Sequence, residues 1–253
     1  MVVKIRYILV AVLILGLCGS IGLNILLYLR GVDLFLQLNR VRLDPLGLQG
    51  YTPINERETI ASDRKPVVIF FGDSRAFEWT PPQNLLDSLI VNRGINGQTS
   101  IQVAGRFDAH ITPLRPKVMV LQVGVNDLKT IALFPNESAQ IVRNCKEHIK
   151  LIVDRAKQHN IKIILTTIFP VGEPSLEWRL FWSEEVDRAI AEVNQYILSL
   201  KGDRVIVLDT TPILANPQGR VQPDYSRDFL HLNAEGYAAL NRQLAPILSD
   251  LLR

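Results

Sequence analysis

The chain has 253 residues, with 28 Lys and Arg against 25 Asp and Glu, a formal charge of +3. Scattered, nearly balanced charge describes a solvated surface and excludes a nucleic-acid footprint as the leading reading. Two cysteines and four histidines, none in a paired-Cys or H-E-x-x-H pattern, give no disulfide framework or metal site, and no phosphate-loop motif is present, so no cofactor is expected.

Tyr7 to Leu29 is an almost continuous apolar run, preceded by Lys4 and Arg6 and followed by Arg30. At about 1.5 Å per residue, a helix of that length crosses about 30 Å of hydrocarbon. A cleaved signal peptide has an apolar core of only about 7–15 residues and a small-residue cleavage site. Gly19-Ser20 is a poor site of that kind, and Leu17 before Cys18 with the continuing apolar run argues against a lipoprotein. A retained single-span anchor over residues 1–30 is therefore favoured. Basic residues flank both sides, and their clustering before the span favours an inside N-terminus with the rest of the chain outside the cytoplasm. Residues 31–64, with Pro45, Gly47, Gly50 and Pro53 and no sustained period, read as a connector, although Val32 to Leu38 can extend the helix or lie along the membrane surface.

From Pro66 onward, short apolar runs alternate with longer amphipathic ones. Val67–Phe71, Val118–Val123, Ile161–Ile168 and Val205–Leu208 read as strands buried on both faces, with a weaker one over Ile90–Arg93. Between them, Ser100 can cap a helix over Ile101–His110. Ser138–His159 puts Ile141, Cys145, Ile149 and Ile152 on one face, and Glu184–Leu200 does the same with Val186, Ile190, Val193 and Ile197. Asn233 can cap a last helix through Leu252. This alternation predicts a three-layer α/β domain over residues 65–253.

Four short segments carry the chemistry. Gly72-Asp73-Ser74 follows a strand directly, where open α/β sheets meet their ligands. On its own this serine reads as an ordinary helix N-cap or turn, and Gly72-Asp73-Ser74-Arg75-Ala76 is not a G-x-S-x-G elbow. Asp228 and His231 stand three apart near the C-terminus. A serine hydroxyl needs a base to take its proton, a neutral imidazole serves near pH 7, and a carboxylate fixes the tautomer. The other three histidines, His110, His148 and His159, lie in charged amphipathic helices and read as surface groups. Asn126, after the third strand, and the backbone N–H groups of Gly97 and Ser74 can hold an oxyanion. Taken singly, Gly97 reads as a turn glycine and Asn126 as an Asx-turn. The combination, in loops that all follow strands, points to acyl transfer.

In that order the segments resemble the SGNH hydrolases, the GDSL-type esterases and lipases. The resemblance runs from about Lys65 to the C-terminus. Ser74 matches the nucleophile of the first block, Gly97 the oxyanion glycine of the second and Asn126 in Gly124-Val125-Asn126-Asp127 the oxyanion asparagine of the third. Asp228 and His231 match the closing D-x-x-H block. The chain departs from the family with Arg75 where Leu often follows the serine, and with Leu232 where Pro often follows the histidine. Arg75 is expected to alter the entrance charge or the substrate class; Asp73 and Asp127 are expected to bond backbone in their loops. The resemblance implies a flavodoxin-like five-stranded parallel sheet and a serine esterase acting on a small-molecule, lipid or glycan ester, which the N-terminal apolar run is expected to anchor in a membrane. Acyl transfer to envelope carbohydrate by the same residues, and a degenerate glycan- or lipid-binding domain, are the competing readings. Trp178 and Trp182 either border the site or cover the core.

Overall fold

The computed structural model describes residues 2–49, 65–83, 85 and 87–253. The chain divides into two units, Met1–Gly50 and Tyr51–Arg253.

The first unit is built on helix α1 (Val2–Leu43), 42 residues with no proline. It is long and apolar enough to cross a membrane, and its large apolar side chains from Ile5 to Leu43 are exposed. The polar residues inside it are satisfied along the helix itself: Asn24 donates to Ser20 O at 2.8 Å and Asn39 to Phe35 O at 2.8 Å. The helix therefore continues well past the expected end of the span at residue 30. It stops where Pro45 disfavours helical backbone at Asp44, and Asp44 turns its carboxylate to the N–H groups of Leu48 and Gln49, at 2.9 and 2.8 Å. At about 1.5 Å per residue α1 is about 63 Å long, roughly twice the thickness of a bilayer's hydrocarbon core. Of the connector expected over residues 31–64, residues 50–64 lie outside the described residues.

The second unit is a five-stranded sheet of β1 (Val67–Gly72), β2 (Leu89–Gly94), β3 (Val118–Gln122), β4 (Lys162–Thr166) and β5 (Val205–Leu208). The order is β2-β1-β3-β4-β5 and all the pairings are parallel. β1 and β3 are buried at every position, as β-branched and aromatic runs covered on both faces must be. Val67, Ile69 and Phe71 face one core with Met119, Leu121, Cys145, Ile149 and Val193. Val68 and Phe70 face a second core with Val120, Trp79, Leu240 and Leu244. The strand starts and ends fall within three residues of those expected.

The connecting helices are α2 (Ser74–Phe77), α3 (Ser100–Gly105), α4 (Phe107–His110), α5 (Val125–Leu128), α6 (Ser138–Gln158), α7 (Glu184–Ser199), α8 (Thr211–Leu214) and α9 (Ala234–Leu252). Two details differ from expectation. The helix expected over Ile101–His110 is broken at Arg106, whose side chain turns inward. Its N-cap is Thr99, whose N–H donates to Gln102 Oε1 at 3.0 Å in a capping box. Ser100 is freed from capping and bonds elsewhere. Asn233 caps α9 as expected, accepting from Gly236 N at 3.0 Å.

The strand order reverses direction at β1 and β3. A crevice therefore opens beyond their carboxyl ends. The loops after β1, β2 and β3 and the segment before α9 carry the four sequence segments singled out above.

Candidate active site

Ser74 is the first residue of α2, one position beyond the end of β1 and its cap. Gly72 has φ +149°, and a Cβ there would fall 1.7 Å from Gln122 O on the neighbouring strand. Only glycine lets β1 and β3 close together at this turn. Asp73 then caps α2, accepting from Arg75 N at 2.9 Å. This presents Ser74 at the helix start with its N–H unused by any acceptor among the described residues.

Ser74 Oγ lies 3.1 Å from His231 Nε2, across 157 positions of sequence. On the far side of the ring, Nδ1 is 3.0 Å from both Asp228 oxygens. Asp228 Oδ1 also accepts the N–H groups of Leu230 and His231, each at 2.8 Å. Partial burial pulls the Asp228 carboxyl upward, but those two N–H groups and the imidazole outweigh it and hold the group below its ordinary pKa. Asp228 is thus a carboxylate at neutral pH, accepts a proton-bearing Nδ1, and leaves the Nε2 lone pair facing the serine hydroxyl. This arrangement can take the hydroxyl proton as the oxygen attacks.

Gly97 has φ +74°, as a turn glycine, and its N–H meets no acceptor among the described residues. Its loop begins against the end of β1, with Ile95 N donating to Gly72 O at 3.0 Å. Asn126 is buried and its Nδ2 donates to Gln98 O at 3.0 Å. The amide keeps a second N–H. Asp127 behind it takes Ser100 N at 2.8 Å and Ser100 Oγ at 2.6 Å, and His148 Nδ1 lies 3.0 Å from the same hydroxyl. Asp73 and Asp127 therefore bond backbone, as expected of them.

Three expectations are corrected. Arg75 does not face the entrance: it is fully buried, stacked on the Phe169 ring at 5.3 Å. Its Nε and Nη2 donate to Leu230 O at 3.0 and 2.9 Å, and its Nη1 to Phe169 O at 3.2 Å. It clamps the residue next to His231. His110 is buried, not a surface group, and lies 3.1 Å from Arg106. Burial and the Arg106 and Arg93 cations push its pKa down to about 4, so it is neutral. His148 is half-buried against Ser100; His159 is exposed, as expected.

Sequence reasoning missed Arg106 altogether. It is buried and donates to Gly72 O and Arg93 O, each at 2.7 Å, and to Gln98 Oε1 at 2.6 Å. It ties the ends of β1 and β2 to the Gly97 loop. The signal was present: an arginine placed among Val103, Ala104 and Phe107, all of which are buried. Trp178 and Trp182 border the site. With Phe181, Phe229, Leu133 and Leu230 they wall a cavity of about 400 Å³ that also touches Lys129, Asp228 and His231. Among the described residues no cluster of three or more His, Cys, Asp or Glu side chains suited to a metal ion occurs.

The profile of the GDSL-like Lipase/Acylhydrolase family matches residues 70–239. Among curated proteins, the chain is 30% identical over 199 residues to the platelet-activating factor acetylhydrolase IB subunit alpha2 of Homo sapiens, covering 75% of this chain and 79% of that one. The Bos taurus protein of the same name matches to the same extent. Among solved structures, a GDSL-like lipase from Bacteroides thetaiotaomicron superposes with a TM-score of 0.58 at 21% identity, covering 85% of this chain and 98% of that one. An acetyl xylan esterase superposes at 0.59 with 22% identity, covering 72% and 99%. At such identities the structures speak to the fold.

Proposed function

Since the chain belongs to the GDSL-like lipase/acylhydrolase family and is an ester hydrolase by that membership, we propose that it works through an acyl-serine intermediate on Ser74. The observation that carries this reading is the Ser74 Oγ to His231 Nε2 contact of 3.1 Å, with Asp228 on the opposite ring nitrogen.

Ser74 Oγ attacks the ester carbonyl carbon and its proton passes to His231 Nε2. Asp228 holds the ring in the required tautomer and stabilises the imidazolium. The N–H groups of Ser74 and Gly97 and the second Asn126 amide N–H stabilise the oxyanion. When the tetrahedral intermediate collapses, the leaving alkoxide takes the proton from His231. Water then attacks the acyl-enzyme, giving a proton to His231, and Ser74 recovers it as the acid departs. No step needs a metal or an organic cofactor.

The test is turnover of p-nitrophenyl esters by the full chain in lipid nanodiscs, with Ser74→Ala and His231→Ala alongside and labelling by a fluorophosphonate. Both variants should lose turnover while keeping the parent circular dichroism, and the probe should label the parent but not Ser74→Ala. Substantial activity in both folded variants removes the mechanism.

We also propose that α1 anchors the chain by a single span, on the strength of its apolar run and length, with the second unit outside the cytoplasm, on the strength of the Lys4 and Arg6 cluster before the run. The protein should stay in the membrane fraction through an alkaline carbonate wash; release into the supernatant refutes the anchor.

A further inference from the structure

Beside His231 the structure holds a space that ester hydrolysis alone does not require. The cavity of about 400 Å³ is walled by Trp178, Phe181, Trp182, Phe229, Leu133 and Leu230. Its aromatic rings interlock: Trp178 meets Phe229 at 5.6 Å and Phe181 at 6.2 Å, and Trp182 meets Phe229 edge-on at 5.5 Å. Trp182 closes the base and is 8% exposed, while Trp178 and Phe181 stand half-exposed at 51% and 48%. The wall is fixed from behind. Trp182 Nε1 donates to Asp187 at 3.0 Å, Arg220 pairs with the same carboxylate, and Gly172 N donates to Phe229 O at 2.7 Å.

An apolar cavity of about 150 Å³ already holds a benzene ring. The space here is more than twice that, so a two-carbon acyl group leaves it largely unfilled. One cation breaks the apolar lining. Lys129 opens the turn after Asn126 and Asp127 and lines the same cavity. Among the described residues its ammonium has no hydrogen bond and no ion pair, whereas Arg227 and Arg220 near the site are both paired with carboxylates. Asp228 also lines the cavity, but its oxygens are engaged by His231 and two backbone N–H groups. Burial against the apolar wall pushes the Lys129 pKa down, and the nearby Asp73 and Arg75 charges act on it in opposite senses. An incoming anion is the partner this ammonium lacks.

We propose that the site takes an anionic amphiphile: an ester whose hydrocarbon chain fills the aromatic cavity while an anionic group on the same molecule pairs with Lys129. This rests on the reading of Ser74 and His231 as the reactive centre, and it names the substrate class of that centre.

The experiment uses the full chain in phosphatidylcholine nanodiscs with two ester series below their micelle concentrations. These are 1-acyl-glycerols and 1-acyl-glycerol 3-phosphates from acetyl to decanoyl. Within each series kcat/KM should rise with chain length, by up to about fourfold per methylene. At equal length the phosphate should be preferred by on the order of tenfold, the worth of a charge-assisted hydrogen bond. Lys129→Met should abolish that ratio and Lys129→Arg should retain it. A flat or acetyl-best profile, or a ratio untouched by Lys129→Met, overturns the inference while Ser74-dependent turnover leaves the hydrolase standing. A phosphate preference seen only with anionic vesicles and not with monomers also overturns it, since the charge would then belong to the lipid surface. If no ester turns over, binding decides the matter. Decyl phosphate titrated into Ser74→Ala protein by tryptophan emission should bind tighter than decanol, and Lys129→Met should erase the difference. Equal affinities refute the subsite.

Discussion

Arg75→Met removes the clamp under the histidine and keeps most of the buried volume. The parent guanidinium makes three hydrogen bonds to carbonyl oxygens, two of them to Leu230 O, within 3.2 Å. Removing one partner of such a buried charged network costs about 3–5 kcal/mol of stability. Part of that loss is offset because Asp73, already pushed up to about 6 by burial, loses the arginine charge that restrains it and becomes neutral more readily. The effect on rate is separable. Leu230 immediately precedes His231, so freeing its carbonyl lets the imidazole drift from Ser74 Oγ, and a misplacement of about 1 Å costs about 100-fold. The assay is kcat and KM well below each variant's melting temperature, with the fluorophosphonate labelling rate measured in parallel. A clamp that positions His231 lowers kcat and labelling together by about 100-fold with KM little changed. A folded Arg75→Met enzyme with parental kcat refutes the assignment, and a loss of melting temperature alone reduces Arg75 to a packing role.

Two further outcomes follow from the same geometry. Asn126→Ala should lower kcat by about 100- to 1,000-fold with KM little changed; steady-state kinetics on a p-nitrophenyl ester measures it, and a loss confined to KM would remove the amide from the oxyanion site. Asp73 has its folded pKa raised from 3.8 to about 6 by burial, with Arg75 and the Arg75 N–H restraining the shift. The stability it contributes is therefore fully present below 3.8 and lost as pH rises through about 6. That loss is about 3 kcal/mol by linkage. Asp73→Asn should flatten the urea-unfolding profile between pH 4 and 7 and gain stability over the parent at pH 8; parallel profiles for the two proteins refute the buried carboxyl as its source.

The sheet was legible because its strands are buried on both faces. Runs such as Val67-Val68-Ile69-Phe70-Phe71 leave little alternative to a central parallel strand. Of the candidate site residues, Ser74, Gly97 and Asn126 were legible because each follows a strand, where a parallel sheet exposes its loops; Asp228 and His231, in the segment before α9, were legible only as a carboxylate and an imidazole three positions apart. What could not be read was which charges are inside. Arg75 and Arg106 are buried by carbonyl groups that arrive from far along the chain: Leu230 and Phe169 for one, Gly72 and Arg93 for the other. No local pattern marks Arg75, and for Arg106 the buried neighbours Val103, Ala104 and Phe107 say that it is inside but not which carbonyls hold it. The helix expected to run through His110 is interrupted at Arg106, and His110, expected to be exposed, is buried against that arginine. α1 takes the Val32–Leu38 extension that the sequence allowed and runs on to Leu43. Arg30, Gly31 and Asp33 interrupt the apolar run without breaking the helix, since hydropathy marks what a bilayer accepts and not where hydrogen bonding stops.

The site's loops are held from beneath by buried ions. Asp73, Arg75, Arg106 and Asp127 are each no more than 9% exposed. Asp73, Arg75 and Asp127 bond backbone beside candidate site residues: α2 under Ser74, the Leu230 carbonyl beside His231, and the start of α3 behind Asn126. Arg106 bonds the Gly72 and Arg93 carbonyls at the ends of β1 and β2 and the Gln98 side chain in the Gly97 loop. Desolvating a charge costs several kcal/mol, and apolar side chains of equal volume are often as stable or more so. Stability therefore does not account for four of them. Placement does. An oxyanion donor and a general base act only when fixed relative to the nucleophile, and a loop beyond a sheet has no ladder of its own to fix it. Charge-assisted bonds to its carbonyl and N–H groups supply what the ladder would have given. This is also why Gly72 must be glycine: the β1 and β3 ends approach so closely that Asp73 N reaches Gln122 O at 3.2 Å. A side chain there would part the two strands on which Ser74 and Asn126 depend.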